Sequence, residues 1–522
     1  MSETIFSVLR DQFQSQPPER TALRWIDSAL KSTEVTWGGL DSESNRRAVL
    51  LQRCGCIPGS HVLIDLQSSP EIWNYFLGAL KCGAVPCVLF PSFGPEALKA
   101  RLESGKANFL ILDRWQPKFL EAVKEIPLKK IICLKGEIPQ GQDVKNILCA
   151  ESLPLEENCL PEAAEIRENN AAFMVFTSGS TGNPKAVVHT QRIAPAVVRS
   201  MRSVLQLQPS DLFWCTAHPA WITGTVYGIL GPLLAGVESI QYTGIYHPSR
   251  WMSILQDQKV NVWYSAPTAF RAMMKEPLDF YEKYSLSSLR TIFSIGEPLS
   301  AAIYQWGNSA FKHEIHDTWF QTETGTVRIA SLPGEPVKPG WMGKAVDDSE
   351  VMIRNQQGSE AAPGEPGMLF LREGWESCFA AYQGQKEAYQ NKFEHGWYRT
   401  DDLACRDENG YLQFYGREDD VINTSGHLVG PFEIESVLLE QPEVAEAAVC
   451  AEKDPAAYEK PAAFIVLKKG IEWNHELETR LKSAVFSHVS PYAVPKSFYI
   501  MKELPKTSSG KIIRKMCRPE TH

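Results

Sequence analysis

The stretch Phe173–His189, FMVFTSGSTGNPKAVVH, limits what this chain can be more than any other part of it. Four apolar residues, Phe173 to Phe176, read as a buried strand. They give way at once to Thr177–Lys185, a run of hydroxyls, two glycines, a proline and a lysine. Such a loop can wrap an anion, because glycine lets backbone N–H groups approach an oxygen, hydroxyls add donors, and the Lys185 ammonium can follow a polyphosphate. Composition alone describes a surface loop equally well, since Gly, Ser, Thr and Pro mark loops everywhere. Order separates it from a Walker-type P-loop: Pro184 precedes the lysine, and no hydroxyl residue follows it.

The chain before this stretch alternates strand and helix. HVLIDL (His61 to Leu66) is expected as a buried strand, Ser69 and Pro70 signal a helix start, and PEIWNYFLGALKC runs as a helix to Gly83, a natural residue just past a helix end. AVPCVLF, GPEALKARLESG and NFLIL (Asn108 to Leu112) continue as strand, helix and strand. Repeats of this kind imply a mainly parallel sheet covered by helices. Ligands of such sheets gather at the carboxyl ends of strands, where the Thr177 loop is expected.

A chain of 522 residues is too long for one ordinary core, so a large domain with a smaller one is expected. The formal net charge of −9 argues against a general nucleic-acid binder. The 12 cysteines are scattered, and the one close pair, Cys54 and Cys56, has no second pair at zinc-like spacing, so they read as buried thiols of a reducing compartment. The N-terminus lacks the basic-then-apolar pattern of a secretory signal, and no uncharged apolar run reaches the roughly 18 residues of a membrane span. The expectation is a cytoplasmic protein.

Downstream, WCTAHPAWITGTVYGILGPLLAGV reads mostly as core, yet the turn Trp221–Gly224 interrupts it with small and polar groups, as a pocket wall would. NVWYSAP and LRTIFSIGEPLS are two further strands, the second ending on Gly296-Glu297-Pro298. EIHDTWFQTETG (Glu314 to Gly325) ends a strand in a carboxylate, Glu323. Near a polyphosphate a carboxylate needs a cation, and Mg²⁺ takes one or two protein carboxylates while phosphates and waters supply its other ligands. Residues 350 to 416 alternate as short hairpins, and GREDDVINTSGH reads as a linker into an α+β unit of about 100 residues that ends in PKTSSGKIIRK.

Taken in order, TSGSTGNPK, GEP, TWFQTETG, GWYRTDDLA, GREDDVINTSGH and PKTSSGK resemble the signature of the adenylate-forming superfamily: acyl-CoA synthetases, adenylation domains and firefly-type luciferases. HPAWITG, WYSAPTAFRA and the doubled aromatic before QTETG look most similar to the acetyl-CoA and medium-chain acyl-CoA synthetase branch. The resemblance covers nearly the whole chain. It implies an α/β large N-terminal domain of parallel sheets covered by helices plus a small β-barrel-like subdomain, residues 1–418. A smaller mobile α+β C-terminal domain, residues 419–522, would follow.

The resemblance also implies a reaction in which a carboxylate attacks the α-phosphate of ATP to give an acyl-adenylate, whose acyl group then passes to a thiol. Thr177, Ser178, Gly179, Ser180, Thr181, Gly182 and Lys185 would hold the β- and γ-phosphates, Glu323 would bind Mg²⁺, and Thr322 would meet the α-phosphate. Gly296, Glu297 and Pro298 with Asp317, Thr318 and Trp319 would line the adenine slot, Asp402 would accept both ribose hydroxyls, and Arg417 would contact the nucleotide. Asp419 would be the hinge; Lys511 would bridge the acyl carboxylate and the α-phosphate, and Gly426 would replace it at a pantetheine tunnel in a second domain orientation. Ile222, Thr223, Ile295 and Phe320 would line the acyl pocket behind Trp221; phenylalanine where acetate enzymes carry tryptophan, with two narrowing isoleucines, points to acetate through butyrate.

Three positions depart from the family pattern: Asp401 for a glycine, which adds a charge beside the nucleotide, Leu428 for an arginine, and His218 for an acid. The acceptor is expected to be coenzyme A, with the pantetheine of a separate acyl carrier protein as the alternative. A homologue without catalysis fits poorly with intact Glu323, Asp402 and Lys511.

Overall fold

The computed structural model of the protein describes residues 3–136, 146–153, 155–156, 159–178, 184–346, 349–424, 427–454, 458–506 and 512–517. Among these, the strand–helix alternation from His61 builds a five-stranded sheet in the order Val85–Val88, His61–Asp65, Phe109–Leu112, Lys130–Cys133 and Ile147–Cys149, every pair parallel. All four residues of Phe109–Leu112 are buried, as a strand covered on both faces requires. The helix Glu71–Lys81 follows the first of these strands in sequence, with Pro70 rather than Ser69 at its N-cap; the Ser69 carbonyl accepts from the Ile72 N–H at 3.1 Å.

A second, nine-stranded sheet carries six parallel strands at its centre: Ile315–Trp319, Thr291–Ser294, Val262–Ser265, Leu212–Cys215, Glu238–Tyr242 and Thr21–Ile26. Their shared direction sets the carboxyl ends of the first three side by side, and the Gly296-Glu297-Pro298 and Gln321–Gly325 turns leave from that edge. These are the sheet positions where α/β folds collect ligands.

The Thr177 stretch is arranged differently from the sequence expectation. Ala171–Ser178 pairs antiparallel with Pro184–Thr190, which pairs antiparallel with Ala381–Tyr382. The loop therefore joins the two arms of a hairpin instead of leaving a parallel strand. Ala172, Phe173, Met174 and Val175 are buried in succession, so both faces of the strand are covered and the run looks like a parallel one in sequence.

Val351–Arg354, Gly367–Arg372, Trp397–Arg406, Phe393–Glu394 and Leu412–Arg417 form an antiparallel sheet over Ile353, Leu369, Tyr398 and Leu412. This is the small β subdomain expected from residues 350 to 416. The C-terminal strands and the helices Pro431–Leu439 and His475–His488 enclose a separate core that includes Ile422, Val437, Val449, Ile465 and Leu481. No helix among the described residues is long and apolar enough to cross a membrane.

Candidate active site

Asp402 is the best-defended carboxylate of the site. It lies on Trp397–Arg406 and is 3% exposed. Its Oδ2 accepts from the Trp319 indole N–H at 3.1 Å and from the Gln321 side-chain amide at 2.8 Å, while Arg417 stands 3.1 Å from Oδ1. Gln321 is itself fixed: its amide also donates to the Thr400 carbonyl at 2.8 Å, and its side-chain oxygen accepts from the Tyr398 hydroxyl at 2.9 Å. Burial works against the charge of Arg417, yet the carboxylates of Asp402, Asp401, Glu323 and Asp419 keep the guanidinium above its ordinary range. The cation thus sits among residues from three separate motifs.

Glu323 accepts from the Tyr382 hydroxyl at 2.8 Å, and Lys185 Nζ lies 5.2 Å from the centre of the Tyr382 ring. One tyrosine therefore connects the lysine of the hairpin to the carboxylate of the TETG turn. The register explains it: Tyr382 pairs with Val187, two residues from Lys185, and Lys185 pairs with Thr177 across the hairpin. A second connection comes from His189, stacked on Phe173 with ring centres 5.0 Å apart, whose Nε2 donates to the Thr322 carbonyl at 2.8 Å. Burial pushes its pKa down to about 4, so the imidazole is neutral at neutral pH. Gly325 closes the turn at φ +75°, and a Cβ there would lie 2.4 Å from the Ser377 carbonyl oxygen. Only glycine satisfies both conditions.

Behind these groups, Glu297 is tied to Arg271 and Thr268 of the helix Pro267–Met273, which fixes the Gly296–Pro298 turn to the next element. Burial holds the Asp317 carboxyl well above the usual carboxylate range. Thr318 points into the sheet interior, where its hydroxyl donates to the Ser294 carbonyl at 2.7 Å and lies 2.8 Å from the Tyr264 hydroxyl. Trp319, 9% exposed, packs with the β subdomain core.

Ile222 and Ile295 share one buried apolar cluster, and Phe320 packs against it with its ring 5.5 Å from that of Tyr227. The Tyr227 hydroxyl accepts from the Val327 N–H at 2.9 Å and lies 2.7 Å from the Ser200 hydroxyl, so this second ring is a fixed backing for the first. Thr223 is 7% exposed, and Trp221 meets Phe90 edge-on at 5.1 Å. A Cβ on Gly224 would fall 2.1 Å from the His218 carbonyl oxygen, which excludes any side chain at the end of WITG. His218 stacks on Phe90 at 4.9 Å and accepts the Ala220 N–H on Nδ1 at 3.1 Å; burial pushes its pKa down to about 4, leaving a neutral ring at neutral pH.

Asp401 has φ +60°, a conformation glycine adopts freely, and its carboxylate pairs with Lys392 and, at 3.3 Å, with Arg399. Asp419 lies in the turn after Leu412–Arg417, where the Arg417 carbonyl accepts from the N–H groups of both Asp420 and Val421 at 3.0 Å. Gly179, Ser180, Thr181, Gly182, Gly426 and Lys511 lie outside the described residues, as does the side chain of Ser178. Sequence reasoning passed over Gln321, Tyr382, His189, Lys392 and Arg399. Of these only Gln321 had a signal, being the residue that opens the turn before Glu323.

The sequence profile of AMP-binding enzymes matches residues 9–377, and that of the AMP-binding enzyme C-terminal domain matches residues 433–511. The chain belongs to the AMP-binding enzyme family. The acetyl-coenzyme A synthetase of Bacillus subtilis (strain 168) is 38% identical over 504 residues, covering 96% of this chain and 87% of that one. The anthranilate CoA ligase AuaEII in complex with anthranoyl-AMP superposes with a TM-score of 0.84 at 26% identity, covering 98% of this chain and 96% of that one. A benzoate CoA ligase from Burkholderia xenovorans LB400 superposes at 0.82 and 25% identity over 99% of each chain. This AMP-binding enzyme is accordingly an AMP-forming acid–thiol ligase, with a large N-terminal and a small C-terminal domain.

Proposed function

We propose that this enzyme activates a short carboxylate, acetate through butyrate, with ATP and passes the acyl group to coenzyme A. The observation that carries the reading is the convergence of Asp402, Arg417 and Glu323 beside an apolar cluster whose near side is Phe320 and whose backing is the fixed Tyr227. The likeness to an acetyl-coenzyme A synthetase supports the short acid.

In this reading, Asp402, pre-aligned by Trp319, Gln321 and Arg417, takes the ribose hydroxyls, while Thr177, Lys185 and the loop between them take the terminal phosphates. Thr322, its carbonyl held by His189, presents to the α-phosphate. The donor set fits Mg²⁺ to the extent of one hard oxygen ligand: Glu323, oriented by Tyr382, would hold the ion together with nucleotide phosphates and water, as Mg²⁺ sites commonly do. Bound there, the ion would offset phosphate charge. The chain's own contribution to the first step is position and charge, with no side-chain nucleophile. The acyl carboxylate would lie between the Ile222–Thr223 turn and Phe320, in line with the α-phosphate, and Lys511 would attend the charge that builds there. Residues 1–418 and 419–522 act as the two bodies, turning about Asp419, and Gly426 then admits the thiol arm. The 12 cysteines are all free thiols, which supports action in the cytoplasm.

The test is to supply ATP, Mg²⁺ and C2 to C8 carboxylates with and without CoA, and to measure AMP, pyrophosphate and acyl thioester. C2 to C4 acids should give the highest kcat/KM. Phe320→Gly should move the optimum to longer acids, by about fourfold in kcat/KM per added methylene, from roughly 0.8 kcal/mol of burial each. An unchanged chain-length profile would remove Phe320 from the pocket. Pyrophosphate exchange without CoA thioester would transfer the reading to a carrier-bound pantetheine.

A further inference from the structure

Two cysteines of the small C-terminal domain meet at one carbonyl oxygen. Cys450 lies on the strand Val444–Asp454, and its thiol donates at 3.4 Å to the carbonyl of Arg514, 64 positions further along the chain. The Cys517 N–H donates to that same oxygen at 2.9 Å, which closes the short turn Arg514–Met516, and the Cys517 thiol lies 3.8 Å from the Ile513 carbonyl. The two thiols are also within hydrogen-bonding reach of each other, and both pack in one small apolar cluster with Ala448, Ala462, Phe464 and Leu504.

Access and charge set this pair apart from other neighbouring thiols. Cys56 and Cys82 also share a hydrogen bond, and Cys133 and Cys149 sit in register on adjacent strands, but all four are buried. Cys517 is buried as well, whereas Cys450 is half-buried and gives the pair a face to solvent. The Cys450 proton has two acceptors in reach, the Arg514 carbonyl and the Cys517 sulfur. Hydrogen bonding from Cys450 holds the Cys517 thiol below its ordinary pKa against the cost of burial; the Arg514 guanidinium acts in the same direction, and Glu435 opposes it. The thiolate is the form of cysteine that oxidants attack, and a second thiol beside it turns the product into a disulfide.

We propose that Cys450 and Cys517 form a reversible redox site, which hydrogen peroxide oxidises to a disulfide and a dithiol reopens. The S–S bond forms as both S–H bonds and the peroxide O–O bond break. Each sulfur gives up one electron and one proton, and the peroxide leaves as two molecules of water. The dithiol returns both electrons and both protons and becomes a disulfide itself. Transient bonds of this kind are the usual disulfides of a reducing compartment. Once formed, the bond ties the Arg514–Met516 turn to the strand Val444–Asp454. It thereby secures Ile512 and Ile513, which the Lys506 bridge and the Pro505 carbonyl hold by backbone contacts alone. A covalent tether makes opening of that turn more costly. The benefit to adenylation rests on the role proposed for Lys511, which directly precedes these residues in sequence; the bond itself does not.

Peptide mapping of the full parent chain by mass spectrometry, after hydrogen peroxide and blocking of free thiols, tests the bond with no variant and no activity reading. A Cys450–Cys517 linked peptide pair, lighter by two hydrogens than the separate peptides and released by dithiothreitol, is the expected product. Its yield should exceed that of any other cysteine pair about tenfold, as access and thiolate character predict. In the oxidised protein the Ile513 and Cys517 amides should exchange with deuterium about tenfold more slowly than in the reduced protein. Cys450→Ser and Cys517→Ser should each abolish the link and leave that exchange indifferent to peroxide. Oxygen added to either cysteine with no link between them overturns the proposal, and so does a link that forms between Cys56 and Cys82 instead. Equal amide exchange in the two redox states overturns the tether. ATP–pyrophosphate exchange should persist to a temperature about 5 °C higher in the oxidised enzyme. A bond that forms and slows amide exchange while this temperature stays the same keeps the redox site and refutes its link to Lys511.

Discussion

Asp401 shows how a residue that looks disruptive in sequence can be neutral in place. The sequence suggests an extra negative charge beside the nucleotide, but its carboxylate faces Lys392 and Arg399, two cations that share it. What the position requires is backbone: at φ +60° a side chain is strained, and Asp is among the few that tolerate it. Asp401→Asn should therefore cost little stability and Asp401→Gly little more. Asp401→Ala should fall about 1 kcal/mol below the glycine variant, because both lose the pair but only alanine meets the left-handed strain. KM for ATP should stay within about twofold in Asp401→Asn, as expected for a charge already neutralised. Urea unfolding and ATP kinetics on the three variants check both statements. A tenfold drop in KM for ATP would mean that the nucleotide feels the Asp401 charge after all. Asp402 next door was legible as a candidate from its motif, whereas of Gln321, which aims it, the sequence shows only its place at the opening of a turn: an amide there looks the same whether or not it reaches a carboxylate 81 positions away.

At the scale of elements, the strand–helix alternation from His61 to Leu112 could be read directly, because buried four-residue strands and capped helices leave separate patterns. Strand direction could not. A run buried on both faces has the same composition in a parallel sheet and in a covered hairpin, so Ala171–Ser178 looked parallel and is antiparallel. The hairpin is what brings His189 to the TETG turn, and this contact is open to test by pH. The folded pKa of about 4 lies below the 6.5 of an exposed histidine, so between those values the unfolded chain binds a proton that the folded chain refuses. The stability gained from the neutral ring is complete above about pH 6.5 and is lost progressively as pH falls towards 4. His189→Phe keeps a ring on Phe173 and cannot titrate. Its unfolding free energy should fall less steeply than the parent's from pH 6.5 to 4. At pH 7.5 it should be lower by about 1–3 kcal/mol, since the Thr322 carbonyl loses its donor. Denaturant unfolding across that range decides; parallel pH profiles would show that His189 is not the titrating group.

For the whole molecule, the role proposed for Lys511 raises the question of how a cation near the C-terminus would serve a site built by residues 171 to 417. The residues on either side of the undescribed segment give the mechanical part of the answer. Lys506 and Ile512 form an antiparallel bridge, the Ile513 N–H donates to the Pro505 carbonyl at 2.8 Å, and Lys506 pairs with Glu446 at 2.6 Å. Arg514 then binds Glu435 through two contacts of 3.0 and 2.7 Å and stands 3.5 Å from Asp420, next to the proposed hinge. The described residues on both sides of the segment are thus tied to the small domain, so in the proposed mechanism Lys511 is carried to the α-phosphate together with that domain. A residue carried by a moving body serves one step and is absent from the other. Lys511→Ala should therefore slow acyl-adenylate formation about 10²- to 10³-fold, the usual cost of deleting a preorganised charge. Thioester formation from a supplied acyl-adenylate should remain within the same order of magnitude as the parent. Rapid-quench measurement of the two half-reactions separates these outcomes. Equal loss in both would place Lys511 in a scaffold common to the two steps, and the alternation about Asp419 would lose its reason.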